Sequence, residues 1–326
     1  MNALLKLFRR LVVLAILAAI PSSLFLPAMA ADDSIDLTPR WKQGEKVRYQ
    51  MVKGRSPTRD GKVDEKNNSR TDLEIEILKA NQDGFVVGWT MGETRLGDPK
   101  GANDPFAKRF VNLVKGFQIV MELDSEASIR GVRNGRELKA TMDKAMGITM
   151  ELLEAEGLDK DLIAKLKQGV GPMFATQEQV EGAFLREPQM FFAAVGRSYR
   201  QGAPIEYDDE LSNPFGGAPL PANGQFLLKA VDKKTGLATI GWKQSIDQRA
   251  AKPILEKTLK QFAERMGKKD APAPHLDSLA VDDEAEFSIE IASGWPQSLS
   301  LTRTIRVGAK PSQEILQITR SPSGPQ

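Results

Sequence analysis

The sequence predicts an α+β protein built on one large antiparallel sheet with helices packed against it. Three observations support this prediction. Apolar and polar residues alternate through many short segments, apolar stripes with helical spacing fill the middle of the chain, and one hairpin-like stretch resembles an earlier part of the chain. We expect about ten strands, curved into a half-barrel, with the helices covering its concave face.

The clearest hairpin lies in the second half of the chain. Phe226 and Leu228 share one face of an alternating segment, and Ile240 and Trp242 share one face of the next. The residues between the segments, 232–236, read DKKTG and end in glycine, as a turn between paired strands requires. This stretch therefore predicts two adjacent antiparallel strands.

A similar hairpin lies in the first half, which suggests an internal duplication. Residues 78–89 read LKANQDGFVVGW and residues 228–242 read LKAVDKKTGLATIGW, so both carry Leu-Lys-Ala, a polar turn ending in glycine, and Gly-Trp. We expect a first meander with a helical insert over residues 31–195. A second meander with one helix, over residues 196–320, belongs to the same sheet, and residues 321–326 form a flexible tail.

Capping patterns predict where three helices begin. Thr176 with Gln179, and Asn134 with Glu137, have the spacing of a capping box, and Asp247 can cap a third helix. We expect the helix that begins at Thr176 to end before Pro188, with residues 190–192 leading back into a strand. Two further stretches, residues 31–40 and 92–109, are expected to form loops.

The first 30 residues have the pattern of a secretory signal peptide. Lys6, Arg9 and Arg10 precede an unbroken apolar run over residues 11–20, and small residues occupy the positions before a cleavage site after Ala30. A ten-residue helix rises only about 15 Å and is too short to cross a bilayer. We expect a periplasmic or secreted protein with no stable membrane span after cleavage; an uncleaved anchor is the alternative.

Charge and composition exclude several classes of function. Cleavage of the signal peptide removes three of the 45 basic residues and none of the 43 acidic ones, so the mature chain has a net charge of −1. Nucleic acid is therefore not an expected partner. The chain has no cysteine and one histidine, which excludes a structural zinc site and disulfide bonds. No catalytic motif and no phosphate-binding glycine loop occurs, and we expect no enzyme activity and no cofactor.

The remaining candidates for chemistry each have a plainer explanation. His275 lies in an Ala-Pro-rich linker and would have to serve any Ser-His-Asp site, but an exposed loop histidine explains it as well. The acidic runs 208–210 and 282–284 could bind calcium, although neither has EF-hand spacing, and a solvated acidic edge is the simpler interpretation. We expect no metal site.

The apolar residues of the middle segment are the best candidates for a binding site. Methionine adapts to irregular apolar shapes, which suits a lipid pocket and equally suits an ordinary core. Arg303 is a further candidate, because it shares a strand face with apolar residues and could hold a lipid phosphate or carboxylate, unless it marks the strand end. The residues expected to line such a pocket are Met142, Met146, Met150, Met173, Phe184, Phe191 and Phe192.

At the level of architecture, the chain resembles the periplasmic lipoprotein carriers and related half-barrel lipid-binding proteins of bacterial envelopes. The resemblance covers strand count, helix placement and export, and it transfers no functional residue. It implies an apolar cavity beneath the helices that holds an acyl chain or a lipidated protein.

Three functions remain open at this stage. The first is a periplasmic carrier for an apolar small molecule or lipidated partner, which predicts a continuous cavity under the helices. The second is an envelope protein-protein interaction module, which predicts a filled core and an exposed patch or strand edge. The third is a hydrolase with carboxylate chemistry, which predicts acidic side chains converging in a cleft.

Overall fold

The computed structural model describes residues 34–56, 68–98, 103–211, 218–265, 280–307 and 310–322. The predicted signal peptide, His275 and most of the predicted linker after residue 266 lie outside these residues. Within the described ranges, no helix is both long and apolar enough to span a membrane.

The described residues form two sheets and five α-helices. The strands are β1 Ser34–Asp36, β2 Lys46–Ser56, β3 Asn68–Asn81, β4 Gly84–Leu96, β5 Gln118–Asp124, β6 Ile129–Val132, β7 Ser198–Arg200, β8 Ile205–Leu211, β9 Leu220–Asp232, β10 Leu237–Ile246, β11 Ala280–Glu290, β12 Pro296–Val307 and β13 Lys310–Arg320. The helices are α1 Pro105–Val114, α2 Gly135–Ala155, α3 Lys160–Val170, α4 Gln177–Phe192 and α5 Gln248–Arg265, with a short 3-10 helix at Gly171–Phe174.

The main sheet confirms the predicted fold class. It is a curved, open sheet of 11 antiparallel strands in the order β6-β5-β4-β3-β2-β13-β12-β11-β10-β9-β8. Two consecutive meanders, β2 to β6 and β8 to β13, meet where β2 pairs with β13. The first and last long strands of the chain therefore lie side by side at the centre, and β6 and β8 form the two edges.

The alternating segments became strands because one face of the sheet is buried and the other is not. In β3, Leu73, Ile75 and Ile77 are buried while the residues between them are half-buried. In β9, Phe226 and Leu228 are buried while their neighbours in sequence are exposed. The face that carries these buried side chains is called the inner face below, and the opposite one the outer face.

The two predicted hairpins occur as expected and have the same arrangement at Gly-Trp. Trp89 and Trp242 are both buried on the inner face. On the outer face, a side chain of a neighbouring strand lies over the preceding glycine: a Cβ on Gly88 would lie 2.7 Å from Gln118, and one on Gly241 would lie 2.5 Å from Lys229. Glycine at this position lets the long side chain cross the sheet surface.

Two of the three predicted helix caps are confirmed, and one is wrong. Thr176 and Gln179 form the complete capping box of α4, and the Asp247 carboxylate accepts hydrogen bonds from two backbone N–H groups at the start of α5. Asn134 precedes α2, but its side chain does not cap it. Its amide instead bonds the backbone of β5, at Val120 N and Gln118 O, because the neighbouring strand offers a donor and an acceptor.

Three other local predictions are wrong. Residues 190–192 belong to α4, which continues through Pro188 to Phe192 because tertiary packing outweighs the missing hydrogen bond. Residues 92–109, expected to be a loop, contain the end of β4 and the start of α1, which Asp104 caps. The leader of residues 31–40 contains β1, followed by the buried Leu37, because β1 pairs with β7.

The core is divided into one large and two small clusters. The large cluster fills the space between the inner face and the helices α2 and α4. One small cluster lies under α5, around Ile246 and Leu255, and the other joins α2 to α3 through Leu153 and Leu166. The helices therefore cover the inner face, as the sequence predicted.

Candidate functional site

The predicted pocket residues do not all come together. Met142, Phe191 and Phe192 are buried in the large core cluster, and Met146 and Phe184 pack against it. Met150 belongs to the small cluster between α2 and α3. The side chain of Met173 lies outside the described part of the structure. Five of the seven residues thus meet beneath the helices.

Where these residues meet, they contact one another and the sheet. The Phe191 side chain is 0% exposed, and its ring lies edge-on to Tyr49 at 5.0 Å, to Trp89 at 5.5 Å and to Phe192 at 5.1 Å between ring centroids. Trp41 adds a further contact with Phe192 at 5.4 Å. These are the distances of aromatic pairs in packed interiors, so the space around Phe191 is filled by protein side chains.

Arg303 is a buried residue with a carboxylate partner. Its guanidinium donates two hydrogen bonds to Asp283, Nε to Oδ1 at 2.7 Å and Nη2 to Oδ2 at 2.6 Å. Arg303 is 6% exposed and Asp283 is 1% exposed. Burial opposes the charge on Arg303, but the adjacent Asp283 carboxylate outweighs it and raises the pKa of Arg303. The guanidinium charge is thus retained in the interior.

The pair belongs to a polar row that crosses five adjacent strands of the inner face. Gln244 lies opposite Asp283, Asp283 opposite Arg303, Arg303 opposite Glu314, and Glu314 opposite Arg55. Each of these residues lies on the same strand face as buried apolar residues at alternate positions of its own strand, as Asp283 does with Ala285 and Phe287. On β10 and β11 the row separates the large core cluster from the one under α5.

Helix α4 adds two charged side chains to this row. Arg186 donates to the Glu314 carboxylate at 3.4 Å, and Glu187 forms an ion pair with Lys53 at 2.6 Å. Burial and the neighbouring charge of Arg303 lower the pKa of Arg186. Although burial disfavours a charge on Glu187, Lys53 and Arg186 keep the pKa of that carboxyl below its usual value.

Positive charge predominates in this cluster, which we call the charged cluster. Glu314 is shared between Arg186 and Arg55, each at 3.4 Å. Among the described residues, the charged cluster contains four cations and three carboxylates: Lys53, Arg55, Arg186 and Arg303, with Glu187, Asp283 and Glu314. The inner face of the sheet thus has an apolar part and a charged end, where Lys53 and Arg55 reach solvent.

At the β8 side of the sheet, the polar row ends in a hydrogen-bonded group. The Trp242 indole donates to the Tyr207 hydroxyl at 2.6 Å, and the Gln244 amide donates to Asp209 at 2.6 Å. Burial raises the pKa of Tyr207 to about 12 and raises that of Asp209. The Gln244 carbonyl oxygen is buried and has no hydrogen-bond partner among the described residues.

Strand β8 itself is an open edge of the sheet. Within the described residues it pairs only with β9. Tyr207 and Asp209 point to the inner face, whereas Glu206, Asp208 and Glu210 are exposed on the outer face. None of these three outer carboxylates has an ion-pair partner in the described part of the chain. The opposite edge, β6, is only 4 residues long.

The outer face has a shallow depression of about 260 Å³ over β9 to β12. Leu227 lines this depression, and among the described residues it is the only large apolar side chain that is exposed. Two surface ion pairs border it, Lys229 with Glu286 at 2.9 Å and Lys243 with Glu284 at 3.0 Å. Exposed pairs of this kind contribute little stability, and the depression is open to solvent along the sheet.

The described side chains do not form a candidate metal site. Among them, no group of three or more histidine, cysteine, aspartate or glutamate side chains is placed to hold a metal ion. The acidic run 208–210 is divided between the two faces of β8, and Asp283 of the run 282–284 is engaged by Arg303. The sequence contained a signal for the charged cluster: on β11 and β13, a charged residue occupies a position that the apolar alternation assigns to the buried face.

Comparison with known proteins adds no family to this description. No family model matches the chain, and no curated protein is similar to it at a significant level.

Proposed function

We propose that the protein is a non-catalytic interaction module of the bacterial envelope that binds other proteins through the surface of its sheet. The observation that supports this function is the packing around Phe191, where the rings of α4 and of the sheet fill the space in which a ligand would lie. A protein whose interior is occupied by its own side chains presents its surface to partners.

The cost of opening the helical cover favours this function over a carrier. Lifting α4 from the sheet exposes, besides Ala183 and Pro188, five large buried apolar side chains: Val180, Leu185, Met190, Phe191 and Phe192. At roughly 1.5–3 kcal/mol for each side chain, the cost is about 8–15 kcal/mol. That cost is as large as the whole stability of a typical domain, about 5–15 kcal/mol. An incoming ligand would have to replace nearly all of these contacts.

Native mass spectrometry of protein purified without detergent tests the proposal. We expect a bare mature chain starting at Ala31, no bound lipid and no excess binding of an apolar fluorophore. Chemical cross-linking in intact cells should join outer-face lysines, such as Lys229 and Lys243, to another polypeptide. A lipid mass that is lost on denaturation would overturn the proposal.

A carrier for an amphiphile is the second candidate, and the charged cluster favours it. Its surplus cation lies at one end of an apolar inner face, an arrangement that suits an acyl chain with an anionic head group. This function also agrees with the resemblance to half-barrel lipid-binding proteins. In that case the co-purifying mass should be an anionic lipid or lipidated protein, and Arg186→Gln should reduce its occupancy.

A further inference from the structure

The open edge formed by β8 has the properties of a docking site for an extended segment. A strand at a sheet edge presents unpaired N–H and C=O groups that another strand can join. The segment before β8 lies against β9 only as far as Gln201 and does not pair with the far side of β8. Along its 7 residues, about 20 Å at the usual rise per residue, the edge has no second strand partner within the described structure. One of its backbone groups, the Glu210 N–H, donates to the Asp209 carboxylate at 2.8 Å, and an added strand would compete with that side chain for it.

The charge of the edge restricts what can pair with it. Glu206, Asp208 and Glu210 stand on alternate positions of the outer face, so an added strand places every second side chain beside them. Two copies of β8 would bring like charges together, which disfavours self-association through this edge. A strand with lysine or arginine at alternate positions brings opposite charges together instead.

The inner side of β8 holds the edge in place before any partner arrives. Tyr207 stacks on Phe226 at 5.5 Å between ring centroids and accepts the hydrogen bond from Trp242. Asp209 is held by Gln244. Because these side chains are already fixed, strand addition would not have to order the edge. Acidic residues on an edge also disfavour unspecific pairing with other strands. A basic strand is the exception, because its charges are attracted to the carboxylates.

We propose that β8 binds an extended, basic segment of another polypeptide by strand addition, with its lysine or arginine side chains paired to Glu206, Asp208 and Glu210. This inference rests on the proposed interaction function and specifies the chemistry of its partner.

Binding of a fluorescent peptide of sequence KTKVKTK, followed by anisotropy with the full mature chain, tests the inference. Its counterpart carries N-methyl groups on alternate backbone amides, which preserve its charges and prevent strand pairing. We expect saturable binding of the first peptide and about tenfold or greater weakening of the second, since several backbone hydrogen bonds are lost. Equal binding of the two peptides, or no binding of either, would overturn the inference.

A pair of matched variants locates the site. The double substitution Glu206→Lys/Asp208→Lys reverses two charges on the edge strand. Glu284→Lys/Glu286→Lys reverses two charges with the same spacing on the outer face of β11, a strand that is paired on both sides. We expect the edge variant to weaken peptide binding by about tenfold or more and the control by less than about threefold. Equal losses in the two variants would assign the binding to general surface charge and contradict the inference.

Thermal unfolding identifies a variant that fails to fold, and the N-methyl comparison on the unmodified chain does not depend on either variant.

The outcomes also separate this inference from the proposed function. If a lipid co-purifies and the peptide still pairs with β8, the filled-core function fails and strand addition stands. If no lipid is found and the peptide does not bind, strand addition alone fails.

Discussion

Removal of one partner of the buried pair between Arg303 and Asp283 is expected to be far more harmful than removal of both. The substitution Arg303→Met leaves the Asp283 carboxylate buried without its two charge-assisted hydrogen bonds of 2.7 and 2.6 Å. An uncompensated buried charge of this kind costs about 3–5 kcal/mol. Protonation of the stranded carboxyl removes the charge, so the deficit should shrink as the pH is lowered.

Differential scanning calorimetry of the mature chain at pH 7 and at pH 4 measures this effect. With about 2–4 °C of Tm for each kcal/mol, we expect a fall of about 6–20 °C at pH 7. The double variant Arg303→Met/Asp283→Leu should recover most of the loss, because a buried pair replaced by apolar side chains of similar volume is often neutral.

A matched control lies on the same two strands. Arg306 pairs with Asp282 at 3.0 Å, and both side chains are substantially exposed. The substitution Arg306→Met should cost about 1 kcal/mol or less. The reasoning would be refuted if Arg303→Met cost no more than this control at pH 7, or if the double variant were less stable than the single one.

Four further substitutions test other parts of the structure, each by thermal unfolding. Phe191→Ala should cost about 3–5 kcal/mol, because it opens a cavity in the aromatic cluster; a loss under about 1 kcal/mol would show that the site is loosely packed. Thr176→Ala should cost about 0.5–2 kcal/mol through loss of the α4 cap, whereas Thr176→Ser keeps the hydroxyl and should cost less. Glu187→Gln should lower stability at neutral pH. Its folded pKa is depressed, so the contribution of the carboxylate is present above the unfolded value of about 4.3 and is lost as the pH falls through the folded pKa. Asp209→Asn should behave in the opposite way. Burial raises the pKa of that carboxyl, so the wild type loses stability relative to the variant as the pH rises through the raised pKa, and an advantage of the variant that grew in acid would contradict this assignment.

If the interaction function is correct, the polar row and the apolar core have separate roles. The packed rings around Phe191 fix the position of α4 on the sheet. The hydrogen bonds of Tyr207 and Asp209 fix the edge strand β8 at the far end of the same sheet face. The interior then serves as a rigid support, and the outer edge carries the specificity.

The strands and their turns were predictable because their signals are local. Alternation of apolar residues in β3 and β9 states which face is buried without reference to the rest of the chain. The turn at Gly236 has a φ of 68° and needs a residue that tolerates the left-handed region, so the glycine in the sequence indicates the turn. Thr176 with Gln179 is likewise a signal contained within one helical turn.

Local signals failed where contacts with distant parts of the chain outweighed them. Asn134 has the spacing of a helix cap, but its amide finds better partners on β5. Pro188 indicates a helix end, yet α4 continues through Phe191 and Phe192 because their burial outweighs the missing hydrogen bond. The candidate pocket failed to converge at Met150 because the C-terminal part of α2 packs on α3 there.

By itself, the sequence determined most strands of the main sheet, most of the turns, two helix caps and the presence of helices against one sheet face. Only the tertiary structure decided that β2 lies beside β13, that Arg186 of α4 meets Glu314 of β13, and that β8 is left at an edge. Such contacts join residues that are far apart along the chain. They form only when burial of the apolar face offsets the entropy cost of bringing distant strands together. No short stretch of sequence contains that information, whereas the period-2 pattern of a strand lies entirely within its own residues.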